Sequence, residues 1–185
     1  MSVLPKCIIV TGRPGSGKTT LARRLAEAAY LPLISRDAIK EGFVHTHGVR
    51  HDQLPGDPQA RVFEAFFGLA VAQLREQVTT VLEAAFQHKV WAGQLPKLQA
   101  VAEVRVIVCD VPADVAARRH LQRGLDDPRR EYFHGDARVA EYRATGKMGP
   151  PAPYETPELG VPTLHVDTTD DYAPSLDDIL EFATN

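Results

Sequence analysis

Short apolar runs alternate with stretches of helical periodicity along the chain, a pattern typical of a parallel sheet flanked by helices. The apolar runs predict strands over residues 6–11, 31–34, 78–83, 104–110 and 163–167. The helical stretches predict helices over residues 18–29, 37–44, 59–76, 113–123 and 136–143, and a last helix from Ser175 to about Phe182. The predicted fold class is therefore α/β, with five short strands in one sheet.

Two local features refine this prediction. Pro32 stands at the start of the second predicted strand, and because proline lacks a backbone N–H it favours a strand at the sheet edge. The helix over residues 59–76 carries a stripe of apolar side chains at helical spacing, which we expect to pack in the core and not to stack on a ligand. The stripe comprises Phe63, Phe66, Phe67, Ala70 and Leu74. Residues 45–58, 125–135 and 145–162 are predicted to be irregular.

Composition narrows the class of protein. The chain has 185 residues, 44% hydrophobic and 24% charged, which is close to the globular average and favours one domain over residues 1–185. Its formal charge of -3 argues against a protein built mainly to coat nucleic acid. The two cysteines, Cys7 and Cys109, lie in apolar runs and are predicted to be small buried hydrophobes. With no leader-like segment and no long apolar run, the sequence predicts a cytoplasmic protein without membrane association.

The motif that carries chemistry is the segment Gly12–Thr19, which reads Gly-Arg-Pro-Gly-Ser-Gly-Lys-Thr and matches the G-x-x-x-x-G-K-[ST] phosphate-binding loop. Its glycines allow successive N–H groups to surround phosphate oxygens, and the following helix presents a positive N-terminus to the same anion. Lys18 is predicted to bind the β- and γ-phosphates, and the Thr19 hydroxyl to bind Mg²⁺. The predicted nucleotide-binding set from this loop is Gly12, Arg13, Pro14, Gly15, Ser16, Gly17, Lys18, Thr19 and Thr20. A glycine-rich turn without a ligand is the alternative, which the complete strand, loop and helix context disfavours.

Residues that follow the other strands should share one rim with this loop. Asp37 follows the second strand, where its carboxylate could accept the proton of an acceptor hydroxyl; the alternative is that it caps the next helix. We favour the catalytic role for Asp37. Arg36 and Lys40 either hold an anionic acceptor or are simply solvated, and the sequence does not decide between the two.

A second carboxylate is expected near Mg²⁺, and Glu83 and Asp110 each end a predicted strand. For Asp110 we consider capping of the next helix the better interpretation, which leaves Glu83 as the preferred metal ligand. His88 follows Glu83, together with Gln87 and Lys89, and is a candidate to face the acceptor.

Arginines cluster on the helix after Asp110. Arg119 and Arg123 are four residues apart and share a helix face, whereas Arg118 points about 100° away. Because phosphoryl transfer spreads negative charge over the phosphate oxygens, arginines on a mobile segment could stabilise that charge. Residues 119–136, which include Arg129 and Arg130, are predicted to form a small lid; solvated surface arginines are the alternative for some of them.

Taken together, these residues resemble the small P-loop kinases related to the phage polynucleotide kinase domain, with zeta-toxin and chloramphenicol phosphotransferase as more distant relatives. The resemblance rests on residues 12–19, on Ser-Arg-Asp at 35–37, and on Asp-Val-Pro at 110–112 with Arg119 and Arg123-Gly124. It implies a three-layer sandwich with sheet order 2-3-1-4-5. It also implies that Asp37 is the general base, that Lys40 contacts the acceptor, and that Arg119 and Arg123 touch the donor phosphates.

The chain departs from that family at two places. Lys40 stands where the polynucleotide enzyme has an arginine, and the segment Glu83-Ala-Ala-Phe-Gln-His-Lys differs from its Asp-x-Asn pattern. Both departures concern the acceptor and leave the kinase chemistry intact.

Other polar residues have weaker assignments. His45, His47 and His51 are predicted to be loop or acceptor-pocket residues and not metal ligands, since no cysteine or carboxylate spacing completes a site. Thr168 and Thr169 follow the last strand; in kinases of this shape that loop lies beside the adenine.

The leading hypothesis is an ATP- and Mg²⁺-dependent kinase that phosphorylates a hydroxyl of a small molecule. A nucleic-acid 5′-hydroxyl kinase is the first alternative, and a nucleotide-binding hydrolase or switch without an acceptor is the second. The identity of the acceptor, the choice between ATP and GTP, and the oligomeric state are not encoded in any local pattern.

Overall fold

A computed structural model describes residues 3–185, in which five parallel strands form one sheet in the order β2-β3-β1-β4-β5. The strands are β1 (Lys6–Thr11), β2 (Leu33–Ser35), β3 (Thr80–Glu83), β4 (Glu103–Asp110) and β5 (Thr163–Asp167). The helices are α1 (Lys18–Ala28), α2 (Arg36–His47), α3 (Pro58–Arg75), α4 (His88–Gln99), α5 (Ala113–Asp126), α6 (Arg129–Phe133), α7 (Ala137–Thr145) and α8 (Leu176–Thr184). The α/β class and the strand order implied by the resemblance are confirmed.

Two hydrophobic cores, one on each face of the sheet, build the three layers. Successive side chains of a strand point to opposite faces, so Ile8 and Val10 of β1 pack with α1 and α8. Cys7 and Ile9 of the same strand pack on the other face, against α3 and α4. The apolar stripe of α3 lies in this second core, with Phe66 and Ala70 fully buried, as its helical spacing predicted.

Strands β1 and β5 have the bounds that the sequence predicted, but β2 and β3 begin two residues late. In both cases the preceding helix ends in a left-handed turn, at Tyr30 (φ 55°) and at Gln77 (φ 60°). The next N–H then bonds back to the helix, from Leu31 to the Ala26 oxygen (2.9 Å) and from Val78 to the Gln73 oxygen (3.0 Å). Leu31 and Val78 thus complete the ends of α1 and α3, and their N–H groups are not available to the sheet.

Helices α4 and α6 were not predicted. Pro96 lies inside α4, where it interrupts the sequence pattern of a helix, but its position near the end limits the loss of hydrogen bonding. The predicted irregular segment 45–58 is also partly ordered, because α2 continues to His47 and His51–Gln53 form a single 3₁₀ turn. Residues 146–162 lack helix and strand, as expected.

The position of the edge strand and the cap of the last helix both agree with the sequence at those places. Strand β2 is at the sheet edge, consistent with Pro32 before it. Ser175 caps α8 by accepting from the Asp178 N–H (3.3 Å), while Asp178 accepts from the Ser175 N–H (3.1 Å). Among residues 3–185, no helix combines the length and the apolar character that crossing a membrane requires.

Candidate nucleotide and acceptor site

The loop between β1 and α1 has the backbone geometry of a phosphate cradle. Gly12, Gly15 and Gly17 have φ values of 150°, 87° and 84°. A Cβ on Gly15 would lie 2.0 Å from the Ala116 carbonyl oxygen of α5, so this part of the loop is packed directly on a neighbouring helix. The loop is therefore held in one conformation by α5 as well as by its own glycines.

Polar groups of this loop are buried. The Ser16 hydroxyl is fully buried and has no hydrogen-bond partner, and Lys18 is only 8% exposed. Thr168, which follows β5, donates from its hydroxyl to the Ser16 carbonyl oxygen at 2.6 Å. The Thr168 side chain therefore contacts the backbone of the predicted nucleotide-binding loop. Buried donors at the N-terminus of α1 form an environment suited to a phosphate group.

Glu83 lies at the centre of the site, at the carboxyl end of β3, and is 3% exposed. Its Oε1 atom accepts from the Thr19 hydroxyl at 3.0 Å and lies 3.7 Å from the Lys18 ammonium nitrogen. Its Oε2 atom accepts from the Ser35 hydroxyl at 2.6 Å. A hydroxyl and a carboxylate in contact supply the hard oxygen donors that Mg²⁺ prefers, so the residues present fit that ion.

Asp110 has a different environment. Its side chain is about half exposed and its Oδ2 atom lies 2.6 Å from Nδ1 of His165, on the neighbouring strand β5. The prediction that Asp110 caps α5 is wrong. The N-cap residue of that helix is Pro112, and no side chain there accepts a hydrogen bond from the N–H groups of the first turn. Proline at this position leaves the helix start to backbone groups, and Asp110 pairs with a histidine of the next strand instead.

Asp37 occupies the first turn of α2, and the N-cap position belongs to Ser35, so the capping alternative for Asp37 is wrong. Asp37 lines a cavity of about 320 Å³ together with Lys18, Arg36, Glu83 and Phe86. Pro14, Ala84 and Ala85 complete the lining. This cavity joins the phosphate loop to the start of α2.

Opposing effects set the pKa of Asp37. Burial alone would raise it, but the charges of His134, Arg36 and Lys18, and a hydrogen bond from Arg36, hold this pKa below its usual value. The bond runs from Nη1 of Arg36 to Oδ1 of Asp37 at 3.1 Å. Asp37 is therefore a carboxylate at neutral pH and is able to accept a proton.

Lys40, one turn after Asp37, is buried at 7% exposure and donates from Nζ to the His134 carbonyl oxygen at 3.2 Å. Burial lowers its pKa, the charge of Arg36 lowers it further, and Asp37 partly offsets both. The solvated alternative for Lys40 is thus wrong. Arg36 is also engaged, since it contacts Asp37 and Gln59 and lies over the Phe86 ring at 5.9 Å.

The arginines of α5 have three separate environments. Arg119 donates to the Thr168 carbonyl oxygen at 2.9 Å and to that of Thr169, which ties it to the segment after β5. Arg118 forms an exposed pair with Asp114 at 2.8 Å. Arg123 contacts His120. Burial, foremost, and the charge of Arg130 lower the pKa of Arg123, while the charges of Asp37 and Glu83 raise it.

A second cavity, of about 400 Å³, opens on the outer side of the phosphate loop. Arg119, Arg123 and Thr168 are among the residues that line it. Its other lining residues are Gly15, Gly17, Thr20, Arg24, Asp170, Asp171 and Tyr172. The Arg24 guanidinium lies 5.3 Å from the centre of the Tyr172 ring. The cavity is adjacent to the loop amides and is large enough to admit part of a nucleotide.

Two predicted site residues lie away from these cavities. His88 begins α4, and its Nδ1 accepts from the Glu158 N–H at 3.2 Å, so it anchors the segment 155–158 and is not among the lining residues of the Asp37 cavity. Arg13 lies over the ring of Tyr154 at 5.9 Å. The Tyr154 hydroxyl is 3.2 Å from the Thr11 hydroxyl, just before the loop.

Sequence reasoning missed Ser35 and His134. Ser35 contacts Glu83, and Nε2 of His134 lies 2.7 Å from the carboxylate of Glu41 on α2. His45 and His47, predicted in a loop, lie in the last turns of α2 instead. For Ser35, the signal in the sequence was its position at a strand end on the shared rim; His134 has no comparable signal.

Comparisons with known proteins identify the family and the fold of the chain. The family described as AAA domain matches residues 7–145. A candidate kinase of Chloroflexus aurantiacus J-10-fl is 27% identical, with a TM-score of 0.74 over 97% of this chain and 96% of that one. The adenylylsulfate (APS) kinase CysC of Mycobacterium tuberculosis, solved with AMPPNP and APS, shares the fold at 15% identity and a TM-score of 0.62, with all of both chains covered.

One curated relative is similar over a shorter region. The ATP-dependent protease ATPase subunit HslU of Rhodospirillum centenum is 35% identical over 88 residues, which are 48% of this chain and only 19% of that protein. The resemblance to P-loop kinases is confirmed by the family match and by the kinase-like fold over the full chain. With its phosphate loop and its 2-3-1-4-5 sheet, the chain belongs to the AAA domain family and has the fold of the P-loop kinases.

Proposed function

We propose that the protein is a phosphotransferase that moves the γ-phosphate of ATP to a hydroxyl of a small-molecule acceptor, with Mg²⁺ as cofactor. The observation that carries the proposal is the cavity in which Asp37 faces Lys18 and Glu83. A carboxylate that can accept a proton thus lies beside the groups that would hold the donor phosphate.

The donor half comprises the loop and the residues behind it. The loop amides and Lys18 would bind the β- and γ-phosphates, and Thr19 with Glu83 would hold Mg²⁺, which would supply positive charge to offset that of the phosphates. Arg119, fixed to the Thr168 and Thr169 carbonyl oxygens, forms one side of the nucleotide cavity. Arg123 lines the same cavity, and its role would be to neutralise charge on the transferred phosphoryl group.

The acceptor half comprises the start of α2. The Asp37 carboxylate accepts the hydroxyl proton while the acceptor oxygen attacks the γ-phosphorus, and the bond from that phosphorus to the bridging oxygen of the β-phosphate breaks. Arg36 lines the same cavity, and we propose that Arg36 and Lys40, one turn further along α2, orient the acceptor. Within residues 3–185, the ammonium group of the buried Lys40 donates to a single backbone oxygen, so it retains donors for a ligand.

We propose that residues 119–136 act as a lid over this reaction. Contacts between α6 and α2 support the proposal, since His134 pairs with Glu41 and the His45 and Phe133 rings are 4.9 Å apart. Closing this segment would bring Arg123 and Arg130 to the phosphates and exclude water. The chain would then be one kinase domain over residues 1–185.

A hydrolase without an acceptor is the second candidate, favoured by the similarity to part of HslU. The two candidates differ in where the phosphate ends. The experiment is a transfer screen with γ-labelled ATP over nucleosides, sugars, antibiotics and oligonucleotides, with Lys18→Ala as the blank. Label on an organic product supports the kinase, whereas release of labelled inorganic phosphate alone supports the hydrolase.

A further inference from the structure

Ser35 occupies the N-cap position of α2 but does not cap the helix. A serine at this position ordinarily accepts a hydrogen bond from a backbone N–H of the first turn. Here the side chain makes no such bond, although its backbone is extended (φ -106°, ψ 128°), as in an ordinary N-cap. The hydroxyl donates instead to Oε2 of Glu83, at 2.6 Å.

The register of the sheet creates this contact. Ser35 on β2 and Glu83 on β3 are direct partners in adjacent parallel strands, so their side chains leave the sheet side by side. With Oε2 bonded to Ser35, the carboxylate plane is fixed and Oε1 is directed to the Thr19 hydroxyl at 3.0 Å. Each oxygen of a carboxylate that is 3% exposed therefore has its own hydroxyl donor.

We infer that Ser35 is a positioning residue for the metal, acting through Glu83, and that this role has replaced its function as a helix cap. The inference rests on the proposed function, in which Thr19 and Glu83 hold Mg²⁺. Partners behind a metal ligand fix its orientation, and their loss typically weakens metal affinity about 10- to 100-fold. Because Asp37 lies two residues after Ser35, the same serine also links the metal carboxylate to the helix that carries the proposed base.

The test measures metal binding directly and needs no acceptor. Binding of Mn²⁺ in the presence of saturating ADP is followed by electron paramagnetic resonance for the parent, Ser35→Ala and Ser35→Thr. We expect Ser35→Ala to raise the apparent dissociation constant for Mn²⁺ about 10- to 100-fold. Ser35→Thr, which keeps the hydroxyl, should restore tight binding, and affinity for ADP without metal should be the same in all three proteins.

Thr80→Val provides the matched control. Thr80 lies on the same strand as Glu83, and its buried hydroxyl bonds to Gln73 and to the Val78 carbonyl oxygen, away from the carboxylate. This variant should bind Mn²⁺ as the parent does. Unchanged Mn²⁺ affinity in Ser35→Ala, or an equal loss in Thr80→Val, would overturn the inference. A parent that binds Mn²⁺ with ADP but phosphorylates no acceptor would instead contradict the transfer proposal.

Discussion

At the scale of single residues, the glycines of the phosphate loop serve two different needs. Gly15 and Gly17 both have positive φ values, 87° and 84°, which residues with a Cβ adopt at a cost of about 1–2 kcal/mol. They differ in their surroundings. A Cβ on Gly15 would lie 2.0 Å from the Ala116 oxygen, whereas one on Gly17 would meet nothing nearer than Cβ of Thr168 at 3.7 Å.

We therefore expect Gly17→Ala to lower the free energy of unfolding by about 1–2 kcal/mol, the conformational cost alone. Gly15→Ala should lose more, because α5 or the loop must shift to relieve the clash, and it should also weaken ADP binding more. Urea unfolding and ADP titration of the two variants measure both effects. Equal losses in the two proteins would show that packing on α5 does not hold the loop.

Residue types at the site were largely predictable, whereas their partners were not. The motif at residues 12–19 and the position of Asp37 after a strand are local features of the sequence. The contact between Ser35 and Glu83 depends on the register of β2 against β3, and that between Lys40 and the His134 oxygen depends on the packing of residues 94 positions apart. No local pattern encodes either contact.

At the scale of elements, α5 presents three arginines to three environments. Arg119 is tied to the segment after β5, Arg123 is near the proposed catalytic carboxylates, and Arg118 pairs with Asp114 in solvent. The helical period predicted that Arg118 points away from the other two. It could not predict that Arg119 and Arg123 divide their roles, because that depends on the loop that follows β5.

This division predicts distinct kinetic effects. Arg119→Ala should raise the dissociation constant of ATP, and Arg123→Ala should lower kcat by about 10³-fold, the range for an arginine that neutralises a transferred phosphoryl group. Arg118→Ala is the matched control and should retain both parameters. Equilibrium titration with ATP measures the dissociation constant, and steady-state kinetics with an acceptor from the transfer screen measure kcat. A loss in Arg118→Ala as large as that in Arg123→Ala would contradict the assignment.

At the scale of the whole molecule, one junction joins the proposed lid to the rest of the chain. Three consecutive residues between α6 and α7 take part. The His134 ring pairs with Glu41, the Gly135 backbone packs against the His51 ring, and Asp136 accepts from His120 at 2.6 Å. The packing is close, since a Cβ on Gly135 would lie 2.3 Å from the His51 ring. Glu41 and His51 thus hold the lid against α2 and the 3₁₀ turn that follows it, whereas the pair of His120 and Asp136 joins the two ends of the lid to each other.

Acid should loosen this junction. Burial, foremost, lowers the pKa of both His51 and His120 below the usual 6.5. The unfolded chain therefore binds protons at these sites at a higher pH than the folded one, and their contribution to stability, complete above pH 6.5, is lost as the pH falls towards the folded pKa values. We expect the Tm to fall between pH 7.5 and 5.5, and less steeply in His120→Gln. An equal slope in parent and variant would exclude His120 as a cause.

If Asp37 takes the acceptor proton in a phosphoryl transfer, Asp37→Asn should separate nucleotide binding from transfer. With an acceptor from the transfer screen, ADP affinity and the rate of labelled product formation are measured for the parent, Asp37→Asn and the control Asp52→Asn, which replaces an exposed carboxylate on the 3₁₀ turn. We predict that Asp37→Asn binds ADP like the parent but transfers phosphate about 10²- to 10⁴-fold more slowly, while Asp52→Asn is unchanged. Transfer at the parent rate by Asp37→Asn would show that Asp37 is not the base.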